Sequence, residues 1–252
     1  MLDEIQNLGY RAVVVGLEGE AEESLANKAD EFKWIEVGNI LDLVSFLKKR
    51  GIQKAIFVGK VDPRVIYNSE KFDKMSQLLL SRIKEKSPKA VIEGVIDFMA
   101  EQGVQVMDPT PFLTASFCQE GILTQTRPSP RIEEDISFGW KIAKKMADLE
   151  VGQTVIVKDK TAVAIEGIEG TDRVIKRGFE LAGEGTVVIK TGRSLQDARV
   201  DLPVVGLDTV KTLIEASCQA LCLEAQKVPF FQKEEAISLA DSNKISIVVK
   251  KM

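Results

Sequence analysis

The chain has 252 residues, 34 basic and 38 acidic, with a formal net charge of −4, 44% hydrophobic residues and no histidine. The lack of histidine excludes Ser-His and Cys-His nucleophilic pairs, His-ligated zinc and histidine general bases, which leaves carboxylates, Lys, Arg, Thr, backbone amides or a metal held by oxygen. A mildly acidic balance without long runs of one sign argues against a duplex-DNA binder and leaves small anionic ligands open.

Leu2, Ile5 and Leu8 fall at helical spacing, and Gly9 closes that helix. Ala12 to Leu17 is β-branched and uncharged, the pattern of a buried strand. A short helix over Glu20 to Lys28 and an apolar run at Trp34 to Val37 follow, then a helix capped by Asn39 and ended by Gly51. Ala55 to Val58 reads as a third strand, 69–102 as helix broken near Ser87-Pro88, and Val104 to Met107 as a fourth strand. This alternation predicts a Rossmann-like domain with a parallel sheet covered on both faces. A doubly wound domain more often opens with a strand and a phosphate-facing turn, so this chain either has a fold that opens with a helix or lacks its opening strand.

Two proline-bearing stretches, Asp108 to Phe112 and Gly121 to Pro130, place a Pro-containing linker across about residues 109–131. We divide the chain into an N-terminal domain, 1–120, and a C-terminal α/β domain, 121–252. The second half should hold an amphipathic helix over Ile132 to Leu149 and a hairpin of Gly152 to Lys158 with Thr161 to Glu166. Helices then follow at Thr171 to Leu181, Asp208 to Ala216 and Lys233 to Ser242, and strands at Thr186 to Lys190, Ala220 to Glu224 and Ile245 to Val249.

Cys118, Cys218 and Cys222 are an odd count without a CxxC pair, which fits a reducing compartment and buried small hydrophobes. The acidic opening lacks the basic region of a signal peptide, and no apolar run approaches a membrane span. A cytoplasmic location is expected.

Polar residues that are hard to explain as solvated surface gather in the second half. Lys158 and Glu166 each close a strand, and Gly167 to Asp172 then run into a helix whose free N–H groups attract phosphate. An N-cap accounts for one of Thr171 and Asp172. It does not account for Glu166, Glu169 and Asp172 together, which either complement the helix dipole or hold a divalent cation. Lys190 ends another strand, ahead of Gln196, Asp197, Arg199 and Asp201. Lys190 and Arg199 suit phosphate oxygens, and Asp201 is held extended before Leu202-Pro203. Ordinary surface salt bridges would explain the same residues. Thr124, Thr126, Arg127 and Ser129 lie in the linker, either as a hinge or facing a cleft. Gly59-Lys60-Val61 is a weaker ligand loop, and the GxGxxG and GxxxxGK(S/T) signatures are absent.

The runs Asp135 to Ala143, Val151 to Lys158, Ala164 to Asp172, and Gln196-Asp197 with Arg199 to Pro203 resemble the LpxI family. Leu17 to Glu20 and Phe112 to Thr124 fit as well. The resemblance implies two α/β domains closing around a lipid-linked nucleotide sugar. The implied reaction is hydrolysis of UDP-2,3-diacylglucosamine to UMP and 2,3-diacylglucosamine 1-phosphate (lipid X) in lipid A biosynthesis. It also implies a divalent cation, Mg²⁺ or Mn²⁺, and transient contact with the inner-membrane surface. The resemblance makes Asp201 the key acid and places Glu169 to Asp172 at the pyrophosphate; from the chemistry of the residues we then expect the following roles: Asp201 and Asp172 are catalytic. Asp201, Glu169 and Asp172 are metal ligands. Lys158, Glu166, Gly170, Thr171, Lys190, Gln196, Arg199 and Thr124 bind substrate. Family members usually open with a strand and a loop of type IAGxGxLP, which is missing here. An acid common near Ala90 is replaced by Lys89. A nucleotide-sugar or lipid-binding protein without catalysis, and a glycosyltransferase using a UDP-sugar, are the competing readings.

Overall fold

The computed structural model describes residues 2–59, 61–62, 65, 69–85 and 87–251. The chain divides into two compact units: Met1–Phe112 with Asp197–Asp201, and Leu113–Gln196 with Leu202–Met252. Both are α/β. The division follows the first proline-bearing stretch. Pro128 and Pro130 belong to the second unit, where Ser129 caps a helix that Pro130 starts.

In the first unit, α1 (Leu2–Asn7) precedes β1 (Val13–Leu17), which pairs in parallel with β2 (Glu31–Ile35). The helix expected over Glu20 to Lys28 is a short 3₁₀ segment, Glu23–Asn27, without buried residues. With no apolar face to dock, nothing holds a longer helix there. Next come α2 (Ile40–Lys49), β3 (Lys54–Ala55), α3 (Lys74–Arg82), α4 (Pro88–Glu101) and β4 (Gln105–Val106). Asn39 caps α2 as expected, accepting from Asp42 N. β3 and β4 pair in parallel, so the described residues form two short parallel ladders, not one four-stranded sheet. Ile40, Val44, Leu47, Ile96, Met99, Val104 and Val106 make the core, and Val200 of the returning segment packs against it.

The second unit is a six-stranded sheet in the order β5-β10-β9-β8-β6-β7. Its strands are β5 (Gly121–Ile122), β6 (Thr154–Lys158), β7 (Thr161–Ile165), β8 (Val187–Lys190), β9 (Ala220–Glu224) and β10 (Ser246–Lys250). β8, β9 and β10 run parallel, while β6 runs antiparallel to both β8 and β7. The C-terminal ends of β7, β8, β9 and β10 therefore share one edge with the start of β6. Asp159 and Lys160 turn the β6–β7 hairpin with φ of 50° and 55°.

Alternation along the strands sorts side chains to the two faces. Val155, Val157, Val187, Ile189, Ala220 and Cys222 face Ile132, Ile136, Trp140 and Ala143 of α5 (Pro130–Asp148). Ile156, Val188, Leu221, Leu223 and Ile247 face the opposite side. There they meet α6 (Thr171–Ala182), α7 (Leu207–Glu215) and α8 (Lys233–Ser242). Among the described residues, no helix is long and apolar enough to cross a membrane.

Candidate functional site

Three of the expected site residues meet at the C-terminal edge of the second sheet. Lys190 ends β8 and is 5% exposed. Its Nζ donates to Thr171 Oγ1 at 2.5 Å and to Thr154 Oγ1 at 3.3 Å. Thr171 Oγ1 in turn donates to Glu166 Oε1 at 3.1 Å. Glu166 is buried at the end of β7, and its Oε2 accepts from Gln153 N at 3.3 Å. Lysine, threonine and glutamate thus form one continuous chain of hydrogen bonds, with the lysine held by hydroxyl groups.

Gly170, and not Thr171 or Asp172, is the N-cap of α6. Its φ of 84° with ψ of 169° is a conformation that glycine tolerates and larger residues avoid. No side chain caps this helix, so its first N–H groups meet no capping side-chain oxygen. A helix N-terminus beside a buried ammonium is suited to an anion. The tight approach of Gly152 to Glu166 completes the edge: a Cβ at Gly152 would lie 2.0 Å from the Glu166 carbonyl oxygen.

Glu169 has other partners. Its carboxylate accepts from Arg177 Nη2 at 2.5 Å and from Gly167 N at 2.9 Å. Partial burial works against its charge, but the guanidinium and the backbone amide hold the carboxyl below its ordinary range. Asp172 is exposed in the first turn of α6. Among the described residues, no three acidic or thiol side chains converge as a metal-holding group. Of the expected metal ligands, Glu169 and Asp172 belong to the second unit and Asp201 to the first.

Two expected residues lie elsewhere. Lys158 pairs near the start of β8, not its end, because β6 and β8 are antiparallel. Its Nζ donates to Ala182 O at 2.6 Å and Glu184 O at 2.7 Å, the carbonyl end of α6. Lys158 and Lys190 therefore hold opposite ends of one helix, about 18 Å apart at 1.5 Å per residue. Thr124 is buried near the start of β10, donating to Thr126 O and accepting from Ile247 N. It pins a strand at the edge opposite Lys190, and Asp241 binds the Gln125 and Thr126 amides beside it. The stretch read as a hinge is anchored within the second unit.

Gln196 Oε1 accepts from Arg193 N at 2.9 Å, closing the loop after β8. Arg199 and Asp201 lie on the segment that belongs to the first unit. The Arg199 guanidinium grips Asp197 through Nε at 3.0 Å and Nη2 at 2.6 Å. That contact lowers the Asp197 pKa and raises that of Arg199. Asp201 N donates to Asp197 O, so Asp197 anchors both neighbours. Lys60 of the weaker loop lies outside the described residues.

Sequence reading missed Lys144 and Glu224, which form a buried ion pair at 3.0 Å beside the same edge. A signal was present. Lys144 continues the four-residue spacing of Ile136 and Trp140, and Glu224 ends an otherwise apolar strand.

Family models described as the LpxI N-terminal domain and the LpxI C-terminal domain match residues 1–116 and 119–248. The chain is also similar to a protein of Caulobacter vibrioides named UDP-2,3-diacylglucosamine pyrophosphatase LpxI. The two are 24% identical over 218 residues, covering 82% of this chain and 78% of the relative. With both models matched in order over nearly its whole length, this chain belongs to the LpxI family.

Proposed function

We propose that this protein hydrolyses the pyrophosphate of UDP-2,3-diacylglucosamine to UMP and 2,3-diacylglucosamine 1-phosphate, a step of lipid A synthesis. Membership of the LpxI family and the name of the Caulobacter vibrioides relative support this substrate. The observation that carries it is the buried Lys190 ammonium beside the glycine-capped start of α6. Hydrolysis of a phosphoanhydride needs the charge on its oxygens offset and a water placed in line. In this reading Lys190 and the α6 amides offset that charge, with Thr171 and Glu166 fixing the ammonium. Gly170 allows close approach, and Gln196 shapes the loop beyond Lys190. Asp201 orients the attacking water and Asp172 assists it. Arg199 acts on phosphate only after exchanging its Asp197 partner. We place the protein in the cytoplasm, meeting its lipid substrate at the inner-membrane surface.

Mg²⁺ commonly binds through one or two carboxylates and the substrate phosphates. We propose Mg²⁺ as the cofactor, with Mn²⁺ as substitute. Activity lost in EDTA and restored by Mg²⁺ supports this, and full activity in EDTA removes it. The function itself is tested by incubating the full chain with UDP-2,3-diacylglucosamine. Release of UMP and sugar 1-phosphate is expected. UDP with a disaccharide would instead mark a glycosyltransferase, and binding without turnover a carrier.

A further inference from the structure

We propose that the buried Lys144–Glu224 ion pair is a positioning device for the turn that follows Lys190. The inference rests on the reading of that edge as the phosphate site. Lys144 of α5 and Glu224 at the end of β9 are 8% and 2% exposed. Lys144 Nζ lies 3.0 Å from both Glu224 carboxylate oxygens and donates to Gly192 O at 2.7 Å. Glu224 Oε2 accepts from Gly192 N at 2.9 Å. Both backbone polar groups of Gly192 thus end on one ion pair.

The rest of the turn is held as firmly. Thr191 N donates to Gln153 O at 2.9 Å. Asp148 accepts from Ser194 N at 2.7 Å and from Ser194 Oγ at 2.9 Å. Lys227 Nζ donates to Arg193 O at 2.8 Å. The Thr191 side chain is fully buried, and its hydroxyl has no hydrogen-bond partner among the described residues. A buried polar group of that kind calls for a reason.

A buried ion pair is a weak source of stability, because desolvation offsets the attraction, and replacing both partners by apolar groups is often neutral for the fold. This pair directs its spare hydrogen bonds to a turn. Its effect is to fix the main chain from Lys190 to Gly192 before substrate arrives, which removes a reorganisation cost from the reaction.

The test compares Lys144→Met, Glu224→Met and the double variant with wild type in the full chain. Each single variant leaves a buried charge and should melt lower. The double variant should melt within about 3 °C of wild type. Its Gly192 amide should exchange faster with solvent. Its kcat for UMP release should fall about 10- to 100-fold with KM little changed. Wild-type kcat in a stable double variant overturns the proposal, since the pair would then serve the fold alone. Should the double variant not fold, Glu224→Asp keeps the charge but withdraws it from Gly192. The same loss of kcat is expected there, and wild-type kcat overturns the proposal. If wild type releases no UMP, the functional reading fails, while the exchange of Gly192 still tells whether the pair holds the turn.

Discussion

The Nζ of Lys190 lies 2.5 Å from the hydroxyl of Thr171, the first residue of α6. This contact ties the end of β8 to the start of α6 and points a buried charge at a helix N-terminus. Lys190→Met keeps the aliphatic stem and removes the charge. Its kcat/KM for the proposed substrate should fall about 100- to 1,000-fold. Thr171→Val should lose less. The double variant should lose less than the two changes combined, since both belong to one network. Steady-state kinetics of all three variants checks this.

Lys158 provides the contrast. Lys158→Met leaves the Ala182 and Glu184 carbonyls without their shared donor. The fold should lose about 1–2 kcal/mol, and kcat should stay at the wild-type value. Urea unfolding and turnover, measured on one preparation, separate the two effects.

Asp201→Ala should lower kcat about 100-fold or more and leave the far-ultraviolet circular dichroism spectrum unchanged. Wild-type turnover in this variant would remove the role we assign to Asp201.

Gly152→Ala places a methyl group 2.0 Å from the Glu166 carbonyl oxygen. Because the obstacle is backbone, the strands must move apart. A loss of about 1–3 kcal/mol is expected in thermal or urea unfolding.

The Glu169 carboxyl is held below its ordinary value of 4.5. A carboxyl depressed in the folded state adds stability above its unfolded pKa, and that stability fades as pH falls through the folded value. Unfolding free energy should therefore drop as pH is lowered from about 4.5. Glu169→Gln should flatten that limb without changing the slope between pH 6 and 8. Urea titrations across pH 3–8 test it.

Burial raises the Cys218 thiol to about 11 and the Cys222 thiol to about 12. Thiolate is the reactive form, so native protein at pH 8 should leave both unmodified by an aromatic disulfide reagent. Denaturant should release all three cysteines. Fast modification of the native chain at Cys218 or Cys222 would contradict the packing described.

Elements with their own periodicity were legible in the sequence. The apolar spacing of Ile136, Trp140, Ala143 and Ala147 announced α5, and the Asp159-Lys160 turn announced the β6–β7 hairpin. The strands of the first unit were overestimated: Ala55 to Val58 shows pairing only through Lys54–Ala55. An apolar run records burial, and a ladder also needs a neighbour. β5 was missed because two residues carry no period.

The run from Glu166 to Asp172 was legible as the turn between β7 and α6, since a glycine-bearing segment between a strand and an amphipathic helix is a local signal. Residue order alone treated Lys158 and Lys190 as equivalent, because both are lysines that end strands. Antiparallel pairing of β6 with β8 separated them, and strand direction is a property of the pairing. Likewise Lys144 and Glu224, 80 residues apart, meet only because α5 crosses the end of β9. The sequence by itself determined the long helices and the longer strands of the second sheet, and which faces they bury, since those depend on neighbours within a few residues. Which strand ends share an edge, and so which charges converge there, was decided by contacts between distant segments that no local pattern encodes.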